Sequence, residues 1–176
     1  MSGHNKWSKI KRQKEKTDGQ KSKIFSKMLR FITVEARKAG GNITSPGLKT
    51  AIEKAKAFNV PNDNIERSIK KFSEPADLME HITYESYGPG GVGLVIEALT
   101  SNRNKAAQEI KFILSKHGFA LAGIGSVTWG FEKTADMEWV PKTTLPLSDE
   151  DSEKLHNLID ELEENDEVQD VYTNAE

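Results

Sequence analysis

The sequence predicts an α+β fold: an N-terminal three-helix unit followed by an α/β sandwich with helices on one face of a mainly antiparallel sheet. Two observations carry the prediction. Apolar residues recur at helical spacing from Gln20 to Phe72, and from Ile82 onward the pattern switches to alternation. After the switch the elements run strand, strand, helix, strand, strand, helix, strand. The implied organisation is a basic arm over 1–18, a helical domain over 19–76 and an α/β domain over 77–176.

Residues 1–18 show no apolar periodicity, which predicts an arm that is mobile when free. From Gln20 to Ala39, the residues Ile24, Phe25, Met28, Leu29, Ile32 and Ala36 line one helical face, and Gly40-Gly41 ends it. Ser45-Pro46 reads as an N-cap followed by a first-turn proline, after which Leu48, Ala51, Ile52 and Ala55 make a second face. Asn59-Val60-Pro61 breaks that helix, and Ile65, Ile69 and Phe72 mark a third, short one. A unit this small is expected to pack on the rest of the chain.

In the second part, residues 82–87 read as a half-buried strand and Val92–Leu99 as a deeply buried one, joined by the turn Gly88-Pro89-Gly90-Gly91. Ser101 or Asn102 caps a helix running to about Lys116, with Ala107, Ile110 and Leu114 inward and Gly118 just past its end. Val127, Trp129 and Phe131 alternate, which predicts a strand over Gly125–Glu132, and a further strand is expected over Trp139–Leu145. Ser148 precedes an acidic first turn, Leu155, Leu158, Ile159 and Leu162 face inward, and Val168–Thr173 closes the chain as a strand.

Composition bounds the chemistry. The chain has 176 residues, 25 basic and 27 acidic, with 4 His and no Cys. Its longest uncharged apolar run, Val92 to Ile96, is far short of the roughly 20 residues of a membrane helix. A transmembrane protein is excluded. Lack of cysteine removes disulfide scaffolds, Cys-type zinc sites, iron–sulfur clusters and thiol nucleophiles together. With no secretory or transit signature after Met1, a cytoplasmic location is expected.

Charge is distributed unevenly. Residues 1–71 carry 18 basic against 6 acidic side chains, and residues 72–176 carry 7 against 21. Either the basic half meets a polyanion, or the halves neutralise each other within the fold. The arm favours the first reading. Its Lys6, Lys9, Lys11, Arg12, Lys14 and Lys16 can neutralise phosphates, while Trp7 and His4 can stack on an unpaired base. Lys21, Lys23, Lys27 and Arg30 extend the basic series along the first helix. Basic residues interleaved with aromatics suit RNA better than duplex DNA, and nothing in the sequence matches a groove-reading or RNP motif.

Catalysis finds little support. His4, His81, His117 and His156 lie far apart, without metal-ligand spacing, so neither a metal nor another cofactor is expected, and no catalytic residue is assigned. The glycines at 88–91 fit a hairpin turn better than a phosphate cradle, since Pro89 removes one amide and the Lys and Ser of a P-loop are missing. The carboxylates from Glu161 to Glu167 read as a solvated helix face. In Ser101-Asn102-Arg103-Asn104, capping accounts for one Asn but leaves Arg103 at a loop tip, so the stretch is either a helix cap alone or a cap whose Arg103 fork also holds a phosphate.

Six ordered stretches carry a resemblance: Gly3 to Lys11 (GHNKWSKIK), Lys23 to Lys27 (KIFSK), Val60 to Arg67 (VPNDNIER), Tyr87 to Gly91 (YGPGG), Asn102 to Asn104 (NRN) and Gly125 to Val127 (GSV). Together with the acidic helix and the ending Val168 to Asn174, they closely resemble the YebC family over nearly the whole chain. The resemblance implies a non-enzymatic regulator that binds nucleic acid, with two partners in view. One is DNA together with the transcription machinery. The other is ribosomal RNA, as in family members that activate translation of a cytochrome oxidase subunit or relieve ribosomes stalled on proline-rich sequences. A protein–protein adaptor docking through the acidic helix is the rival from another class. Family members usually run to about 240 residues and carry a third domain inserted where this chain has only Lys133 to Glu138, so the chain resembles a short form. No membrane partner is implied, and the sequence carries no signal for the oligomeric state.

Overall fold

The computed structural model describes residues 18–176. His4, Lys6, Trp7, Lys9, Lys11, Arg12, Lys14 and Lys16 of the expected arm lie outside them. Two compact units divide at Met79 and Glu80.

In the first unit, helix α1 spans Asp18–Lys38, α2 Pro46–Ala57 and α3 Asn62–Lys70, with one 3-10 turn over Lys71–Ser73. Ala51 and Ala55 of α2 are fully buried small residues, which brings its backbone close to its neighbours, and Ile32, Ala36, Leu48, Val60 and Ile65 fill the centre. Pro46 stands in the first turn of α2, where its missing N–H costs nothing, but the Ser45 side chain makes no cap bond. Glu35, buried on α1 at 7% exposure, stands beside that turn. A Cβ on Gly47 would overlap its Oε2, so glycine there admits the carboxylate beside the first turn of α2, where the helix dipole favours it. Phe72 falls on the 3-10 turn rather than on α3, and its ring lies over Gly41, whose φ of 81° suits glycine.

The second unit holds an antiparallel three-stranded sheet in the order β1 (Glu80–Tyr87), β2 (Gly93–Thr100), β5 (Val168–Thr173). Every residue of the central strand β2 is buried, as the apolar run from Val92 to Ile96 predicts for its first half, and Glu97 and Thr100 are buried with it. Alternation divides its two faces. Leu94, Ile96 and Ala98 pack under helices α4 (Arg103–Lys116) and α5 (Asp149–Glu164), with Ile110, Leu114, Leu155, Leu158 and Leu162 completing that core. Val95 points to the opposite face, against Val127, Phe131, Trp139 and Tyr172. That face carries a short two-stranded ribbon, β3 (Phe131–Lys133) paired with β4 (Trp139–Pro141). Glu97, also on that face, accepts from Trp139 Nε1 at 2.6 Å and from the Thr83 hydroxyl at 2.8 Å. On α4 it is Ala106, not Ala107, that is fully buried.

Two expected strands are corrected. The strand over Gly125–Glu132 shrinks to Phe131–Lys133, preceded by turns and a 3-10 segment over Thr128–Gly130. Its backbone amides turn toward one buried carboxylate and so cannot pair in a ladder. The strand over Trp139–Leu145 ends at Pro141, and Leu145 instead makes an isolated parallel bridge to Ala175.

Candidate nucleic-acid interface

On α1, Lys21 is exposed, while Lys23 and Arg30 are half-buried. Lys27 departs from its expected place. It is 9% exposed, one row with Phe31 and Glu35, which are buried too. Residues four apart share a helix face, so Lys27 goes inward with the row, its stem serving as packing surface. Ile24, Phe25, Met28 and Leu29, expected inward, are only half-buried. Farther along, Arg37 donates to the Glu74 carbonyl at 2.9 Å and Lys38 pairs with Glu35 at 3.0 Å.

Arg103 is the first residue of α4 rather than a loop tip. Asn102 caps the helix, its side chain accepting from the Lys105 amide at 3.1 Å, and its own amide donates to the Thr100 hydroxyl at 2.9 Å. The Arg103 fork is engaged. Nε and Nη2 lie 3.2 and 2.8 Å from the two carboxylate oxygens of Glu80, with both side chains at least half exposed. The guanidinium holds the Glu80 carboxyl below its ordinary pKa.

The most tightly organised feature was not anticipated. Glu85, on β1 and 6% exposed, accepts from the amide of Gly125 at 2.7 Å, of Val127 at 2.7 Å and of Thr128 at 2.9 Å, and from the Thr128 hydroxyl at 3.2 Å. Burial pushes its pKa up. The converging amides and hydroxyl outweigh that and hold it below the ordinary value, so it is a buried anion solvated by backbone. At the loop's outer end, Tyr87 Oη and Trp129 Nε1 both donate to the Ser126 carbonyl at 2.8 Å. Trp129, expected inward with Val127 and Phe131, is 74% exposed, and Ile124 is fully exposed. An exposed tryptophan inside an alternating pattern gives no local warning of this.

Gly88-Pro89-Gly90-Gly91 is a turn, as the hairpin reading has it. The Gly88 amide donates to Val92 O at 2.8 Å and that of Gly91 to Gly88 O at 3.0 Å, so two amides a phosphate cradle would need are spent. A cleft of about 630 Å³ lies beside the turn, but His117 and Lys154 on its wall are paired with Glu161 and Glu150, at 2.7 and 2.6 Å.

The acidic helix is less bare than its sequence suggests. Ser148 caps α5, accepting from the Asp151 amide at 3.1 Å. Glu161 is bridged to both Lys116 and His117, and Glu167, 8% exposed, pairs with Lys105 at 3.0 Å. The solvated-face reading holds for Glu164 and Asp166, which are exposed, and is corrected for Glu161 and Glu167, which pair with Lys116 and His117 and with Lys105. Among the described residues, no group of three or more His, Asp or Glu is placed to hold a metal, and no helix is long and apolar enough to cross a membrane.

The chain matches the TACO1/YebC protein N-terminal domain over residues 5–75, and the TACO1/YebC second and third domain over 79–138 and 132–175. It is 37% identical to Probable transcriptional regulatory protein Teth39_1009 of Thermoanaerobacter pseudethanolicus, over 239 aligned positions covering 100% of this chain and 97% of the relative. A probable transcriptional regulatory protein of Fervidobacterium nodosum is 39% identical, covering 99% of this chain and 93% of the relative. Among solved structures, the conserved hypothetical protein Aq1575 from Aquifex aeolicus superposes with a TM-score of 0.81 at 30% identity, covering 98% of this chain and 97% of that one. Since 239 aligned positions meet 176 residues, at least 63 positions of the first relative face a gap.

Proposed function

Because the chain belongs to the TACO1/YebC family, whose relatives bear the name of probable transcriptional regulatory proteins, we propose that it is a non-enzymatic regulator of gene expression acting by nucleic-acid binding in the cytoplasm. The observation that carries this reading is the charge of the first 71 residues, 18 basic against 6 acidic. In this reading the arm residues His4, Lys6, Trp7, Lys9, Lys11, Arg12, Lys14 and Lys16, with Lys21, Lys23 and Arg30 of α1, lie along a phosphate backbone. Lys27 is left out because it is buried. Arg103 contributes only by exchanging Glu80 for a phosphate. The shortfall against the first relative, and the two matched stretches meeting over 132–138, support a short form that lacks the third domain.

RNA on the ribosome is a second reading within the same class, favoured by the arm's mix of cations with Trp7 and His4. The adaptor reading loses ground, because Glu150, Glu161 and Glu167 are already paired with cations of the same unit. Deleting residues 1–18 is expected to abolish nucleic-acid binding in the purified protein and to remove the steep fall of affinity with salt. Full binding without the arm, or a flat log–log salt plot for the intact chain, refutes the proposal. Crosslinking in cells, followed by sequencing of the attached DNA and RNA, tells the two ligand classes apart.

A further inference from the structure

Residues 120–130 are held at four levels. At the start, the Ala122 amide donates to Glu85 O at 2.8 Å and the Ser86 hydroxyl to Ala120 O at 2.9 Å. In the middle, the Glu85 carboxylate gathers the amides of Gly125, Val127 and Thr128. Near the tip, Tyr87 and Trp129 meet on the Ser126 carbonyl, and at the end Lys142 Nζ donates to Trp129 O at 2.9 Å. A loop so fastened has surrendered its conformational freedom before any ligand arrives. What it displays is apolar all the same: Trp129 at 74% exposure, Tyr87 at 48% and Ile124 fully exposed.

The chemistry of this tip selects its occupant. Both aromatic side chains spend their single polar hydrogen on one internal acceptor, so neither has a donor left for a partner, and what they offer is ring surface together with the acceptor lone pairs of Tyr87 Oη. The Lys142 ammonium beside Trp129 uses one of its three N–H donors on the carbonyl, leaving two for an anion. Glu85, the carboxylate that organises the loop, is buried among amides and does not present its charge to an approaching phosphate. Flat apolar surface next to a cation, on a rigid support, suits an unpaired base with its phosphate, and Ile124, fully exposed on the same loop, adds apolar surface.

We propose that Trp129 and Tyr87, with Lys142 and Ile124, form a stacking platform for an unpaired nucleobase of single-stranded nucleic acid. This rests on the nucleic-acid reading above and adds a second contact, on the α/β unit, distinct from the phosphate contacts of the arm and α1.

The test uses the full chain and two probes: a fluorescein-labelled oligouridine of about 15 nucleotides, within the site sizes of such surfaces, and a duplex of equal length. Trp129→Ala is expected to weaken oligouridine binding by about 5-fold to 100-fold, the worth of one stacked base, and to leave duplex affinity unchanged. Trp129→Phe, which keeps a ring, restores most of the loss. Both variants lose the Trp129 Nε1 bond to Ser126 O, so their melting temperatures are expected to match each other, and a shared shift does not account for a difference in affinity between them. Equal oligouridine affinity for Trp129→Ala and parent overturns the platform while leaving the nucleic-acid reading intact, and does so even where the variant releases a protein partner. Equal losses on both probes overturn it too. If the parent binds neither probe, the nucleic-acid reading itself fails, and the platform falls with it.

Discussion

The guanidinium of Arg103 and the carboxylate of Glu80 tie the first residue of α4 to the first residue of β1 through two contacts, at 3.2 and 2.8 Å, in solvent. A planar fork answered by a carboxylate can be answered equally well by a phosphate, so the pair is a competitor built into the surface. Glu80→Gln is therefore expected to raise affinity for nucleic acid and steepen the log–log salt dependence by about one unit, the signature of one added phosphate contact. Arg103→Gln should leave the salt slope at the parent value, because in the parent the fork is occupied. A slope unmoved by Glu80→Gln removes Arg103 from the binding surface.

Glu85→Gln puts an NH₂ group where backbone donors converge. Whichever way the amide turns, it faces either Gly125 N or the pair Val127 N and Thr128 N. Leaving buried donors unanswered costs about 1–3 kcal/mol, which should shift the urea midpoint down with the slope unchanged. A midpoint equal to that of the parent would mean that the loop does not depend on the charge.

Acid should find the same weakness. The carboxyl of Glu85, under the combined effect of burial and three amides, and that of Glu161, beside Lys116 and His117, both titrate below the ordinary glutamate value when folded. A group whose folded pKa is depressed stabilises the fold above its unfolded pKa and loses that contribution as pH falls through the folded value. Stability set by these two groups should be level from neutrality to about pH 5 and decline below about pH 4.5. In Glu85→Gln the decline should be shallower, which a series of urea titrations across that range will measure.

Gly90 and Gly91 separate two costs of a side chain. Both have positive φ, 68° and 82°, so alanine at either pays about 1–2 kcal/mol for the left-handed backbone. A Cβ at Gly91 meets open space, whereas one at Gly90 overlaps the end of the Leu147 side chain. The melting temperature of Gly90→Ala should therefore fall further than that of Gly91→Ala. Equal shifts would mean that Leu147 moves aside at no cost.

Helices were legible where the sequence carries both a period and a stop. Gly40-Gly41 and Asn59-Val60-Pro61 end α1 and α2 within a residue or two of where the apolar spacing fails, and Asn102 and Ser148 cap as their chemistry requires. The expected strand over Gly125–Glu132 shortens to Phe131–Lys133 because alternation implies opposite faces only on an extended backbone. The group that bends this backbone, Glu85, lies 40 or more positions upstream of the amides it binds. The same limit hid the partner of Arg103, 23 positions away. Lys27 shows the converse: its charge marks it as surface, but its neighbours four and eight positions on are buried, and a long stem allows the whole row to follow.

The ribbon of β3 and β4 ends in a tight reversal, with Lys133 opposite Trp139, the Thr134 amide donating to Glu138 O at 2.8 Å, and Met137 at a φ of 61°. Two strand ends held this close form a port through which extra chain can leave and return without either strand being pulled out of register. Each doubling of the added length costs only about 0.6 kcal/mol in closure entropy, so cargo of domain size, about four doublings longer than this loop, costs about 2–3 kcal/mol if its own ends stay flexible and less if they are held close together. Grafting a foreign folded module between Thr134 and Glu138 is accordingly a route to a tethered fusion that leaves both chain termini, and the packing of β2 beneath, untouched.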